Sequence, residues 1–330
     1  MSGGRRPERL GFRYVPLSEL DGRSHVVVDG AARDGTVCTL SHWPGTPTPR
    51  RLWADTSAEI VLRALRRPWH LPEGVELATI DHYDADGIIA LGLLVVPDLA
   101  AAHGELLAGA ARAGDFDVVA SRDDGLRSFA LAAMEHGEAE RALALLPALA
   151  GRVGDFEELW GPEAEAYDRS LEMIADGAVV IEEHRQLDLA VATVDSNHPD
   201  LPRAGWNGSL LHRATLHSAT SCLRVATVVG ARFELRFRYE SWVRFMSRRP
   251  LPRVDLSDLA AELSGAEHDG GRWDFDGAGA ITPALHRADD GPSTLTAERF
   301  LSDVCRALAT LDQGPPAWDP YRPITAAPVA

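Results

Sequence analysis

The sequence predicts an α/β fold, in which a mostly parallel sheet with flanking helices is followed by a smaller C-terminal α+β domain. In the first half, short apolar or β-branched runs alternate with Ala- and Leu-rich stretches, as strands and their covering helices do. In the second half, apolar and charged residues alternate strictly between Ala231 and Glu240, as in a half-buried strand. The polar segment 196–208 separates the two patterns. We therefore expect a flexible lead-in over residues 1–20, an α/β domain over 21–200 and an α+β domain over 201–330.

The first half contains three predicted strands and a proline-rich loop. The strands are the runs Ser24–Val28, Thr36–Leu40 and Val75–Ile80. The segment SHWPGTPTPRR, which follows the second run, contains prolines that exclude regular structure. Ligands of parallel sheets bind beyond the carboxyl ends of the strands, so we expect the loops after the second and third runs to lie at a binding edge.

Capping signals and apolar runs predict the helices of the first half. Thr56 and Glu59 fit a capping box at the start of the helical stretch SAEIVLRALRR. A second helix is predicted over IIALGLLVV, and a third from Asp98 to Ala113, ended by Gly114. Residues 123–150 are predicted to form further helices because they are rich in Ala, Leu and Glu.

The second half mixes strands and helices. The alternating strand is expected to pair with Cys222–Val229 across a turn at Gly230 and Ala231. The arginines at 232, 236 and 238 are expected to form a solvated face, because glutamates offset them, and an anion site is the alternative. The remaining predicted elements are the helices Glu163–Ala175, Leu256–Leu263 and Ala297–Leu311 and the strands Ala178–Ile181 and Leu187–Val194.

Composition excludes several classes of protein. The formal net charge of −16 disfavours long nucleic acid as a partner, because non-specific binding to it depends on Lys and Arg. The apolar run Ile88–Val96 is too short to span a bilayer, and no apolar signal-peptide stretch follows the N-terminal arginines. Cys38, Cys222 and Cys305 form no CxxC pair, which is typical of a reducing compartment. We expect a cytoplasmic protein without a membrane partner, and a homodimer is an open expectation.

The stretch TIDHYDADGIIAL concentrates Asp81, His82, Asp84 and Asp86 within six residues after a predicted strand. A turn rich in Asp and Gly would also give this pattern, with Asp86 capping the next helix. Three carboxylates beside an imidazole repel one another unless a cation compensates them. In an extended segment, His82, Asp84 and Asp86 point to one side. This donor set suits Mn²⁺ or Mg²⁺, with Zn²⁺ or Fe²⁺ as alternatives, and the EF-hand pattern of calcium sites is absent.

The string His82-Tyr83-Asp84-Ala85-Asp86-Gly87, followed by an apolar helix, resembles the first motif of the DHH phosphoesterase superfamily. That superfamily includes RecJ-type exonucleases, short-oligonucleotide hydrolases and family II pyrophosphatases. The resemblance implies that His82, Asp84 and Asp86 are catalytic and ligate one or two divalent metals, usually manganese. The resemblance covers about fifteen residues strongly, and the Asp-His-His motif that names the superfamily is missing.

Other residues are expected to complete this metal site. Asp115 is the candidate for a further family aspartate, although it also fits a turn after Gly114. In place of Asp-His-His, one alternative is His184 at the end of VVIEEH, which keeps the usual motif order. The other is His42 in Leu40-Ser41-His42, which implies a rearranged order and is preferred because a strand precedes it and a capped helix follows it. Asp55 is a further candidate ligand, although N-capping suits it better.

Substrate contacts are predicted at Arg272, Arg122 and His184. Arg272 lies in HDGGRW, the nearest equivalent of the family's Gly-Gly-Gly-His, and a guanidinium there could bind a phosphate bidentately. An ordinary hairpin turn is the alternative for that stretch. Arg122 lies in FDVVASRD, which is predicted to form a strand and whose Asp123 is a second candidate for the family aspartate.

The predicted function is that of a metal-dependent hydrolase, a phosphoesterase acting on a small phosphate ester, nucleotide or short oligonucleotide. The chain contains no GxSxG, GxxxxGK[ST] or HExxH string that would indicate another catalytic class. Two alternatives remain at this point. One is a metalloenzyme of different reaction type on a DHH-like scaffold, and the other is a non-catalytic binding module.

Overall fold

The computed structural model describes residues 11–67, 73–96, 98–134, 139–207, 209–248 and 250–321. The chain divides into two units of comparable length, residues 1–164 with Arg244–Ser247, and residues 165–243 with 248–330. The division therefore falls earlier than the polar segment 196–208. The reason lies in strand pairing. The two strands directly before this segment, Val179–His184 and Leu189–Val194, belong to the sheet of the second unit.

The first unit contains a four-stranded sheet in which every pair is parallel. Its strands are β1 (Arg13–Tyr14), β2 (His25–Val28), β3 (Thr36–Leu40) and β4 (Leu77–Ile80), in the order β1-β4-β2-β3. Residues of β2 and β4 are buried throughout, as expected for strands covered on both faces. The predicted α/β class and its parallel sheet are thus confirmed.

The predicted flexible lead-in is wrong for residues 11–20. Arg13 and Tyr14 pair in parallel with β4, which makes this segment an edge of the sheet. Val15 and Leu20 are buried and pack with Leu77, so apolar burial fixes the segment in place. Residues 1–10 lie outside the described ranges.

The helices of the first unit are α1 (Ser57–Leu65), α2 (Ala85–Val95), α3 (Leu99–Phe116), α4 (Arg122–Ala133) and α5 (Ala139–Gly151), and α6 (Glu157–Ala175) continues into the second unit. Thr56 and Glu59 form the predicted capping box of α1. Helix α3 does not end at Gly114 as predicted, but continues to Phe116. A Cβ at Gly114 would lie 2.4 Å from the Cβ of Ala85, so the missing side chain allows α3 to approach the start of α2.

The second unit contains a six-stranded mixed sheet, order β5-β6-β7-β8-β10-β9, in which β6 and β7 are parallel and the other pairs antiparallel. The strands are β5 (Val179–His184), β6 (Leu189–Val194), β7 (Arg224–Val229), β8 (Arg232–Phe237), β9 (Trp273–Phe275) and β10 (Ala284–Arg287). The helices are α7 (Leu201–Ala204), α8 (Arg213–Ala219), α9 (Ser257–Ala266) and α10 (Ala297–Leu311). Because β6 pairs with β7, the chain before residue 196 is part of this sheet.

The predicted hairpin across Gly230 is present, and its apolar face packs into a core with α9 and α10. The prediction that Arg238 belongs to a solvated strand face is wrong. Arg238 follows β8, is 2% exposed, and donates from Nη2 to Glu240 at 2.6 Å. The other face of the sheet packs beside Met173 and Leu216. Among the described residues, no helix combines the length and apolarity that a bilayer crossing needs.

Candidate metal centre

The site lies where three neighbouring parallel strands end. Asp29 directly follows β2, His42 lies two residues after β3, and His82 lies two residues after β4. Parallel pairing of these strands brings their carboxyl ends to one edge of the sheet. Gly30 is required at this edge, because a Cβ there would lie 2.4 Å from the Cβ of Asp81.

Asp29, His82 and Asp84 form what we call the outer cluster, in which one ligand atom from each residue lies within 4.8 Å of the others. His82 Nε2 is 2.8 Å from Asp84 Oδ2 and 3.9 Å from Asp29 Oδ2. The side chains of His82 and Asp84 are 43% and 34% exposed, so this cluster is open to solvent. The second oxygen of Asp84 is fixed, since Oδ1 accepts from the Gly87 amide at 2.7 Å and caps α2.

The outer cluster holds a proton in the absence of a cation. The hydrogen bond with Asp84 and the surrounding carboxylates raise the pKa of His82 to about 9. Burial, together with the charge of Asp29, raises the pKa of Asp84 above its ordinary value. Neighbouring carboxylates contribute to both shifts, because carboxylates crowded in one place favour a bound positive charge, whereas burial is the larger cause for Asp84 alone.

Asp29, His42 and Asp86 form the inner cluster, whose three side chains are all buried. The Nδ1 of His42 lies 2.5 Å from the Asp55 carbonyl oxygen, which can only accept, so Nδ1 carries the hydrogen. His42 Nε2 therefore faces the carboxylates, 3.5 Å from Asp29 Oδ1 and 3.4 Å from Asp115 Oδ2. Burial is the largest single influence on the pKa of His42 and would lower it. The hydrogen bond and charge of Asp29, the charge of Asp86 and the hydrogen bond with Asp55 together outweigh burial and raise this pKa.

Asp86 connects the inner cluster to the start of α1. Its Oδ2 accepts from the Ser57 amide at 2.6 Å, and its Oδ1 accepts from the Ala58 amide at 2.8 Å. These amides are unsatisfied donors of the first turn of α1, which favours a carboxylate there. Even so, burial and the charge of Asp29 raise the pKa of Asp86 to about 7. Asp86 therefore accepts from the first two amides of α1, whose N-cap is Thr56, whereas the turn interpretation expected Asp86 to cap the helix that follows it.

Asp29 is shared by both clusters and is held in an unusual conformation. Its backbone φ is +45°, in the left-handed region, which Asp tolerates better than most residues. Its Oδ1 accepts from the Ser57 hydroxyl at 2.8 Å. Its Oδ2 is buried and makes no hydrogen bond with any described residue. Burial is the largest single influence on the pKa of Asp29 and would raise it, but the hydrogen bonds with His42 and Ser57 and the charges of His42 and His82 together outweigh burial and lower it.

These residues fit a divalent cation. They supply carboxylate oxygen and imidazole nitrogen, and one buried carboxylate oxygen is without a hydrogen-bond donor among the described residues. A cation would also relieve the repulsion that raises the pKa of Asp86. The two clusters are thus groups of acidic and histidine side chains that could hold metal ions.

A family model described as "Family of unknown function (DUF6687)" matches residues 11–314. The chain belongs to the DUF6687 family. No curated protein matches it. One similar solved structure is the crystal structure of an exopolyphosphatase-related protein from Bacteroides fragilis, with 10% identity and a TM-score of 0.33. The similarity covers 88% of this chain and 72% of that chain.

The predicted ligands of the DUF6687 chain are divided between the clusters. His82 and Asp84 lie in the outer cluster and Asp86 in the inner one, because α2 begins at Ala85 and turns the backbone out of the extended form. His42 joins the inner cluster. Asp115 contacts His42 from the last turn of α3, so it lies within a helix and not in an exit turn.

Other predicted residues lie elsewhere. His184 is exposed at the end of β5 in the second unit, and neither cluster contains it. Arg272 is also in the second unit, where its exposed guanidinium pairs with Asp274 at 2.6 Å. Arg122 is exposed at the first position of α4. The strand expected over FDVVASRD is absent, since Phe116 ends α3, Arg122 begins α4 and residues 117–121 connect the two helices.

The sequence-based prediction for Asp55 was wrong, and Asp29 was not predicted as a site residue. Asp55 is neither the cap of α1, which is Thr56, nor a member of a cluster. Its carboxylate accepts from the amides of Met246 and Ser247, at 2.6 and 2.8 Å. Asp29 was missed altogether, although the string VVVDG contained a signal, namely an Asp-Gly pair directly after a buried strand.

Proposed function

We propose that this DUF6687 chain is a metal-dependent hydrolase, specifically a phosphoesterase that acts on a small phosphate ester, a nucleotide or a short oligonucleotide. The observation that carries the proposal is that Asp29 is shared by two His/carboxylate clusters. A carboxylate common to two adjacent cation sites suits two-metal hydrolysis of phosphate esters, because it would hold the two cations close together. The first-motif resemblance of HYDADG to the DHH superfamily supports the same reaction class.

The outer cluster would hold one divalent cation and the inner cluster a second, with Asp115 as a further oxygen donor near His42. We propose manganese, because mixed carboxylate and imidazole donors suit it. Bound cations would supply Lewis-acid activation of the phosphoryl group and of the attacking water.

The protein's own contribution is to fix the donor atoms in advance. The carbonyl of Asp55 sets the tautomer of His42, so that Nε2 faces the inner cluster. The Ser57 hydroxyl orients Asp29, and the Gly87 amide orients Asp84. Held in this way, the side chains need little rearrangement on binding, which strengthens the case for a built site.

Exposure differs between the clusters and suggests the direction of substrate approach. His82 and Asp84 are partly open, whereas His42 and Asp86 are buried. A phosphate ester would therefore meet the outer cluster first. The buried inner cluster would exclude bulk water, which strengthens electrostatic interactions there.

The test is metal content and hydrolysis in the full chain and in two variants. We expect stoichiometric metal and manganese-dependent hydrolysis of bis(p-nitrophenyl) phosphate, pyrophosphate or a short oligonucleotide. Asp29→Asn should reduce activity by about 100-fold or more, because both clusters lose a ligand. Asp81→Asn is the matched control, since Asp81 lies in the same motif but pairs with Arg33 and belongs to neither cluster.

Two outcomes would redirect the interpretation. Metal binding that depends on Asp29, without hydrolysis of any phosphate ester, would favour a metalloenzyme of another reaction type. Protein that binds no metal, and that Asp29→Asn leaves unchanged, would sink the metal-dependent hydrolase and favour a binding module.

A further inference from the structure

A second candidate site lies entirely within the second unit, in a cavity of about 430 Å³. Its floor is the sheet face opposite the α9 and α10 core. Alternate residues of a strand share one face, so Val225, Thr227 and Val229 of β7 line the cavity while Ala226 and Val228 belong to that core. Helix α8 and the chain before it form another wall, which includes the apolar side chains of Leu211 and Leu216.

The charge of this cavity is opposite to that of the whole chain. The chain has 49 acidic and 33 basic residues, yet the lining contains four arginines and two carboxylates. Arg236 is bound to Glu234 through Nε and Nη2, at 2.8 and 3.0 Å. Arg287 pairs with Asp269 and Asp289, neither of which lines the cavity.

The other two arginines of the lining are Arg213, at the first position of α8, and Arg232, at the first position of β8. The one other carboxylate in the described lining is that of Asp290. The lining therefore has an excess of guanidinium groups, which bind phosphate and carboxylate groups through paired hydrogen bonds.

A polar row crosses the floor of the cavity. Thr227 of β7, Glu234 of β8 and His286 of β10 occupy directly paired positions on adjacent strands. The Nδ1 of His286 is buried and makes no hydrogen bond with any described residue. Buried polar atoms are nearly always paired in native proteins, so this nitrogen indicates that a partner from outside the chain belongs there.

We propose that this cavity binds a small organic anion, with its phosphate or carboxylate group near Arg213 and Arg232. The apolar part of the ligand would lie against Leu211, Leu216 and Val229, and a polar atom would reach His286. A concave site with apolar walls and a few convergent polar groups is typical of small-molecule binding. The site is independent of the metal centre, and its occupancy needs no hydrolytic activity.

The test is calorimetric titration of the metal-free full chain with three probes of matched size, phenyl phosphate, benzoate and benzyl alcohol. We expect at least one anion to bind and the neutral alcohol to bind at least about tenfold more weakly. Tighter binding of phenyl phosphate assigns a phosphate ligand, and tighter binding of benzoate assigns a carboxylate ligand.

Substitutions test whether the anion binds in this cavity or at another surface of the protein. Arg232→Gln should weaken the bound anion about tenfold or more, because one charge-assisted pair is lost. Arg213→Gln should do the same, and Arg185→Gln, an exposed arginine of this unit outside the lining, should change nothing. The anion must also bind the Asp29→Asn variant, in which the metal centre is impaired.

Four results would overturn the proposal. They are equal binding of benzyl alcohol, no binding of either anion, anion binding that survives both arginine substitutions, and anion binding that disappears in Asp29→Asn. The last result would assign the anion to the metal centre, and the other three would leave the hydrolase proposal untouched.

Discussion

Replacing Glu267 with Gln should destabilise the second unit in a pH-dependent way. The side chain of Glu267 is fully buried after the end of α9. Its Oε1 accepts from Trp273 Nε1 at 2.8 Å and from the Ser293 hydroxyl at 2.6 Å. Its Oε2 accepts from the amide and hydroxyl of Thr294, at 2.8 and 2.6 Å. A glutamine offers one acceptor oxygen, so its amide nitrogen would face two donors.

The pKa of Glu267 gives the magnitude of this destabilisation. Burial alone raises this pKa, but the hydrogen bonds from Ser293, Thr294 and Trp273 outweigh burial and lower it from 4.5 to about 2. At about 1.4 kcal/mol per pKa unit, the ionised carboxylate stabilises the fold by about 3 kcal/mol at neutral pH. Because the folded pKa is below the unfolded one, this contribution is complete above the unfolded pKa. It declines as the pH falls and is lost below about pH 2.

The assay is urea unfolding of the wild type and Glu267→Gln, with the transition of the second unit identified by hydrogen exchange in α9 and α10. We expect a deficit of about 3 kcal/mol at pH 7 and about half of that at pH 3. Glu182→Gln, an exposed glutamate of the same unit, is the control and should be neutral. A deficit that is equal at both pH values would refute the argument from ionisation, and one below about 1 kcal/mol at pH 7 would refute the magnitude.

Three further predictions concern the first unit. Binding of Mn²⁺ should release protons, because His82, whose pKa is raised to about 9, must lose its proton to bind the metal. The affinity for Mn²⁺ should therefore increase about tenfold per pH unit between pH 7 and pH 9. Calorimetry in two buffers of different ionisation enthalpy measures this release, and heats independent of the buffer would contradict it. Gly114→Ala should lower stability by about 1–3 kcal/mol, because the added Cβ meets Ala85 at 2.4 Å. Gly161→Ala, whose Cβ has no neighbour nearer than 3.7 Å, should instead be neutral or stabilising, and thermal melts compare the two. Thr56→Ala removes the cap of α1 and should lower the free energy of unfolding, measured in urea, by about 1 kcal/mol. An unchanged unfolding midpoint would show that the cap contributes little.

Local patterns in the sequence determined most elements of the fold. Strands β2 to β4 were predicted because short apolar runs end in turn residues, and α1 because Thr56 and Glu59 form a capping box over one turn. The hairpin at Gly230 was predicted because apolar and charged residues alternate with a period of two. These signals depend on neighbours within a few residues, so they can be read without knowing the fold.

The candidate site was only partly readable, because its parts come from separate strands. His82, Asp84 and Asp86 stand out as a local cluster of charges. Asp115 and His42 were candidates for residues that the family resemblance implies, and the strand before His42 and the capped helix after it favoured His42. The sequence could not show that these charged residues are divided between two clusters. Helix α2 begins at Ala85, which carries Asp86 towards the inner cluster while Asp84 stays in the outer one.

Tertiary structure alone decided the role of Asp29 and the division of the chain. An aspartate before a glycine is an ordinary turn residue until parallel pairing places β2 between β3 and β4, so that one carboxylate reaches the side chains following both. The boundary after Ala164 and the cavity of the second unit depend likewise on β6 pairing with β7 and on the register of β7, β8 and β10. The physical reason is the same in each case. Strand pairing joins residues far apart in the chain, and no local pattern records which strands will meet.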